Sequence, residues 1–159
     1  MSEPDTPRPP RRPLPPKPEL PDMAEARRRG PAAEVEARWL GLRLAWEWYR
    51  AVYGSGVGRR GTIALMEAAV ADPVLRQFYP HTSHYNLHFA PTTERIYPRV
   101  APYVMPLGDG RFRVLGANPP VDEEVDTAEE AVALVVARLA PGTLLAATGR
   151  PWDEQPTAG

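Results

Sequence analysis

The chain has no cysteine and a single lysine, Lys17. The first absence excludes disulfides, thiolate metal sites and thiol nucleophiles. The second excludes a Schiff-base mechanism through a lysine of the folded region. Net charge is −1, so no global field draws the protein to nucleic acid or to a membrane surface. No apolar run approaches the roughly 18 residues that a membrane helix requires, and no charged-then-apolar segment opens the chain. These absences predict a cytoplasmic protein with no nucleic-acid and no membrane partner. Histidine is scarce too. His81, His84 and His88 are the only three, and all lie within "FYPHTSHYNLHF", residues 78–89.

What is abundant is proline, and it is unevenly spread. Ten of the 21 prolines fall within residues 1–31. Proline fixes φ and removes a donor, so this segment, with overlapping P-x-x-P spacings, reads as an extended, polyproline-like or disordered tail. Such a tail either docks to a partner or acts as a solubilising linker. About 115 residues remain for one packed body, near the commonest domain size. The expected layout is a tail over 1–31, a single domain over 32–148, and a flexible C-terminal tail over 149–159 with Trp152 as its only possible anchor.

Within the body, "AAEVEARWLGLRLAWEWYRAVY" (32–53) repeats apolar residues at helical spacing: Val35, Trp39, Leu42, Trp46, Tyr49 and Tyr53. Trp48 lies off that face and is a candidate contact for something else. "GSGVGRRGT" is glycine-rich but follows a helix, so it reads as an interhelical loop and not as a phosphate-binding turn. A second helix is expected over 62–71, with Ile63, Met66 and Val70 inward. A further turn or two follows, with Asp72 as cap and Pro73 at the first position. The period then changes to two. Tyr85, Leu87 and Phe89 alternate with Asn86 and His88, as in a strand. Residues 102–107 and 111–116 flank Gly108-Asp109-Gly110, a hairpin signal, and Pro106 points to an edge strand or a bulge. Asp126 or Thr127, with Glu130, caps a last helix that Pro141-Gly142 end. The fold class is therefore α+β: a small three-stranded antiparallel sheet packed against two or three helices, in the order ααβββα.

The histidines admit three chemistries. On a strand His84 and His88 stand about 13 Å apart, too far to share one ion. No metal and no cofactor are therefore expected. Ser83 adjoins His84, but neighbours on a strand face opposite ways and no nucleophile elbow is present. If the strands adjoin, His84, Asn86 and His88 share a polar face with Arg111 and Arg113, able to hold a carboxylate or phosphate. The alternative is a solvated antiparallel face.

"DPVLRQFYPHTSHYNLHFAPTT", "PYVMPLGDGRFRVLG" and "VDTAEEAVALVVARLAPG" together resemble an uncharacterised actinobacterial family labelled natural product biosynthesis protein. The resemblance covers about residues 60–142. It rests on Pro73, Leu75, Arg76, Tyr79, Pro80, Thr82, Ser83 and His84, then Gly110, Phe112, Arg113 and Val114, then Asp126, Thr127, Glu129 and Glu130. His84 falls on the family's Thr-Ser-His, whereas His81 and His88 depart from its pattern. The resemblance implies an accessory or binding protein of a specialised-metabolite pathway. Its partner would be a pathway enzyme, peptide or small-molecule intermediate, held by Arg76, Thr82, Ser83, His84, Asn86, His88, Arg111, Arg113 and Trp48. Two alternatives stand beside it: a small cofactor-free isomerase or cyclase with His84 as general acid or base, and an interaction-only immunity-type or adaptor module.

Overall fold

The computed structural model describes residues 7, 9, 10, 12–94, 99–116 and 119–154. Helices α1 (Met23–Arg29), α2 (Pro31–Tyr53) and α3 (Val57–Ala71) come first. A short 3₁₀ turn (Leu75–Gln77) follows. Next are strands β1 (Tyr79–Ser83), β2 (Asn86–Ala90), β3 (Tyr103–Pro106), β4 (Phe112–Gly116) and β5 (Val121–Val125), and last helix α4 (Ala128–Ala137). The strands form one antiparallel sheet in sequential order. The α+β class holds, but the sheet has five strands where three were expected.

The helices cover one face of the sheet in sequence: α2 lies over β1, α3 over β2 and β3, and α4 over β4 and β5. Leu87, Val104 and Val114 stand side by side in register and are fully buried beneath them. Val35, Trp39, Leu42 and Trp46 of α2 enter this core, but Tyr49 and Tyr53, expected on the same stripe, are exposed near the end of the helix. Thr127 accepts from Glu130 N–H at 3.1 Å and starts α4. The Asp72 carboxylate accepts from Val74 and Leu75 N–H and starts the 3₁₀ turn.

Several expectations change. Helix α3 begins at Val57, so Gly58, Arg59, Arg60 and Gly61 are helical and not an interhelical loop. Gly61 is where α3 meets the sheet: a Cβ there would lie 2.7 Å from Pro106 Cβ. Pro106 ends β3, an interior strand, and not an edge. Met23–Arg29, expected within an extended tail, is a helix capped by Asp22, which accepts from Glu25 N–H. Residues 149–154, expected to be loose, turn back on the body. Leu144 bridges Pro151, and Trp152 Nε1–H donates to Ala140 O at 3.0 Å.

The histidine segment is not one strand but a hairpin. His81 pairs with His88 and Ser83 with Asn86, and His84-Tyr85 form the two-residue turn. His84 has φ +58°, the only positive φ among the described non-glycine residues. Thr62, fully buried on α3, donates its hydroxyl to Tyr85 O at 2.6 Å and fixes the turn against the helix layer. The outer side of β1 is met by α2. Trp39 Nε1–H donates to Phe78 O and Arg38 Nε–H to Pro80 O, both at 3.0 Å.

Candidate functional site

The face of the sheet turned away from the helices carries the polar residues. Strand alternation places His81 of β1 opposite His88 of β2. Continuing the β2–β3 register by one residue sets His88 beside Tyr103. The three rings stack across three strands: His81 on His88 at 4.5 Å between centroids, and His88 on Tyr103 at 4.6 Å, with planes within 20° of parallel. His88 is buried and His81 half-buried.

This stack abuts a cleft of about 870 Å³ between the α1–α2 end and β1, lined by Arg27, Glu34, Arg38, Tyr79, His81, Thr93 and Glu94. Glu34 opens α2 and is buried, and Arg27 of α1 covers it in an ion pair of 3.1 Å. One turn along α2, Arg38 lays its guanidinium over the Tyr79 ring, 5.4 Å from the centroid. Beyond its bond to Pro80 O it makes no ion pair among the described residues, and Arg99, on the approach to β3, makes none either.

Burial, followed by the charges of Arg38 and Arg99, holds the His81 pKa below the ordinary imidazole value. Burial, then His81, then Arg99 push His88 down to about 4. Both imidazoles are therefore neutral at neutral pH, and the cleft offers a guanidinium beside uncharged rings. A metal suits this arrangement poorly. A ring nitrogen's lone pair lies in the ring plane, so face-to-face rings send theirs along parallel directions instead of converging on one ion. Among the described residues no group of three His, Cys, Asp or Glu side chains is placed to hold a metal.

The residues expected to form a site are scattered. His84 and Ser83 are exposed at the hairpin tip, and His84 makes no hydrogen bond or ion pair among the described residues. Thr82 turns the other way and accepts from Trp46 Nε1–H at 3.4 Å. Asn86 opens β2 opposite Ser83. His88 lies on the face turned away from the helices, as expected, but is buried there between His81 and Tyr103. Arg111 and Arg113 lie on β4 and its approach, and both are engaged. Arg111 bonds Asp126 and Glu124, and Arg113 grips Asp122 with two bonds of 2.8 Å. These pairs raise both guanidinium pKa values and lower that of Asp122. Arg76 lines a different groove, with Glu36, Trp39 and Ala147. Trp48 bonds the chain's own N-terminal segment. The face thus brings together His81, His88, Tyr103 and Arg38, of which only His88 was singled out for a site. Arg38 and Tyr79 carry no local motif, since Arg38 meets β1 from 42 residues away.

Among the described residues no helix is long and apolar enough to cross a membrane. No curated protein and no solved structure matches the chain. A model described as a family of unknown function, DUF6193, matches residues 34–150, a span that runs from the first turn of α2 through α3 and the whole sheet to beyond α4. On that match the chain belongs to the DUF6193 family.

Proposed function

We propose that the protein binds a carboxylate-bearing small molecule or peptide in the Arg38–His81 cleft. The observation that carries this reading is Arg38: a guanidinium beside a lined cleft with no carboxylate paired to it among the described residues. Arg111, Arg113 and Arg138, by contrast, are already held by acidic partners. A planar guanidinium matches a carboxylate through two parallel bonds. The neutral imidazole of His81 adds polarity without a competing charge. Glu94, exposed in the same cleft and in no ion pair among the described residues, suits an ammonium on the same ligand. The ligand class is therefore an amino acid or short peptide. An accessory role in a specialised-metabolite pathway rests on the sequence resemblance alone.

Titration of the protein with amino acids, short peptides and their desamino analogues tests this. Saturable binding is expected, weakened about tenfold or more by Arg38→Gln, because a bond to a charged group contributes about 1.5–3 kcal/mol. Arg113→Gln should leave affinity unchanged. Absence of saturable binding, or affinity indifferent to Arg38, overturns the reading. A second reading, turnover in the same cleft, is favoured by a His81 that is uncharged at neutral pH. It predicts product formation that is lost in His81→Gln and kept in His84→Ala.

A further inference from the structure

A second feature lies two to three turns farther along α2 and owes nothing to the cleft. Gly41, Ala45 and Trp48 follow one another at spacings of four and three, so they share one stripe of the helix. Two small residues ending in a tryptophan make a trough with an aromatic stop. The chain's own N-terminal segment fills it. Trp48 Nε1–H donates to Pro15 O at 3.0 Å. The Lys17 ammonium lies 5.5 Å from the indole centroid. Lys17, Pro18 and Leu20 enclose a hollow of about 200 Å³ with Ala45, Trp48 and Tyr49. Pro21 Cδ sits 3.5 Å from where a Cβ on Gly41 would project. Tyr49 meets the Trp48 ring edge-on at 5.7 Å and steadies it.

We propose that this stripe is a receptor for proline-rich segments in the polyproline II conformation, occupied here by residues 15–21 and open to a partner segment of the same chemistry. A polyproline II strand has no internal hydrogen bonds, so its carbonyls seek outside donors, and an indole N–H beside an aromatic wall supplies one. A cation two residues after the bonded proline adds the cation–π contact. The required ligand is thus an extended Pro-Pro-cation-Pro segment. The occupant is lightly held. Trp48–Pro15 is the only hydrogen bond made by the described residues of 12–21, and Leu14 and Leu20 are 70% and 55% exposed. The receptor lies inside the family-matched residues and the occupant outside them. Tethering keeps the segment at an effective concentration of roughly millimolar, so it competes with any outside segment and sets the threshold for partner binding.

The test uses the full chain and the indole N–H resonances of its four tryptophans. Trp48→Phe assigns the Trp48 signal by its disappearance. Pro15→Gly, Pro16→Gly and Lys17→Ala together should release the segment and move that signal while the other three stay in place. A synthetic peptide of residues 12–22, at roughly millimolar concentration, should then return it at least halfway to its wild-type position. A peptide with alanine for proline should not. If the released variant loses its other indole signals, the same peptide carrying a nitroxide is added to the wild-type chain. Selective broadening of the Trp48 signal is then expected. A signal unmoved by release, or unmoved and unbroadened by the peptide, overturns the proposal. A wild-type signal that shifts with protein concentration alone would support it and identify the tail of a second copy as the partner segment.

Discussion

His84 illustrates how far a residue's role depends on its backbone. It occupies the first position of a two-residue turn at φ +58°. Histidine tolerates this region better than most side chains, and a β-branched residue there is an outlier. His84→Val should therefore cost about 1–2 kcal/mol in urea unfolding, whereas His84→Asn or His84→Gly should change stability little. A loss in all three variants would point to an interaction of the imidazole and not to its backbone. This turn was not legible in advance, because His84-Tyr85 lacks the glycine or asparagine that marks a tight hairpin. Arg38 was equally hidden: it is unremarkable in its own segment, and only the packing of α2 along β1 brings it beside His81, which was visible just as one of three clustered histidines. Trp48 was legible, because a large aromatic off the apolar stripe needs a partner, although that partner proved to be this chain itself.

At the scale of elements, two helical glycines invite opposite predictions. Glycine in a helix interior is about 1 kcal/mol worse than alanine. At Gly41 an added Cβ meets only Pro21, at ordinary contact distance. Gly41→Ala should raise the free energy of unfolding by about 0.5–1 kcal/mol. At Gly61 the added Cβ would collide with Pro106 at 2.7 Å, so α3 would have to lift from β3. Gly61→Ala should cost about 1–3 kcal/mol despite the better helix propensity. Parallel urea titrations of the two variants decide both. Elements with strong local chemistry were readable: α2 from its stripe, α4 from its capping residues, and β3–β4 from Gly108-Asp109-Gly110. Strand β1 was not, because Pro80 within "YPHTS" reads as a helix terminator. Strand β5 was not, because the consecutive acids Asp122, Glu123 and Glu124 erase the two-residue alternation. Those acids are drawn into the sheet by Arg113, Arg138 and Arg111, partners from elsewhere in the same chain that no local pattern announces.

For the molecule as a whole, the buried His88 couples folding to pH. Its folded pKa, about 4, lies below the ordinary value of 6.5. Between those values the unfolded chain binds more protons than the folded one, so stability rises with pH through this window. The contribution is complete above about pH 6.5 and is lost as pH falls toward 4, with a size on the order of 3 kcal/mol. The lowered pKa of His81 acts in the same direction. Urea midpoints measured from pH 4 to 7 should climb in the wild type and flatten in His88→Phe, which keeps an aromatic ring between His81 and Tyr103. A midpoint curve with the same slope in both proteins would show that the stacked imidazole is not the proton-linked group.

The contact of Trp39 and Arg38 with Phe78 and Pro80 also bears on assembly. Those side chains occupy acceptors that a foreign strand would need, and Pro80 offers no donor in return. A sheet normally invites neighbours on two sides; this one is sealed on the first. Any recruit must therefore approach along Val121–Val125, past three carboxylates already committed to arginines, and two copies that paired there would leave no free edge for a third.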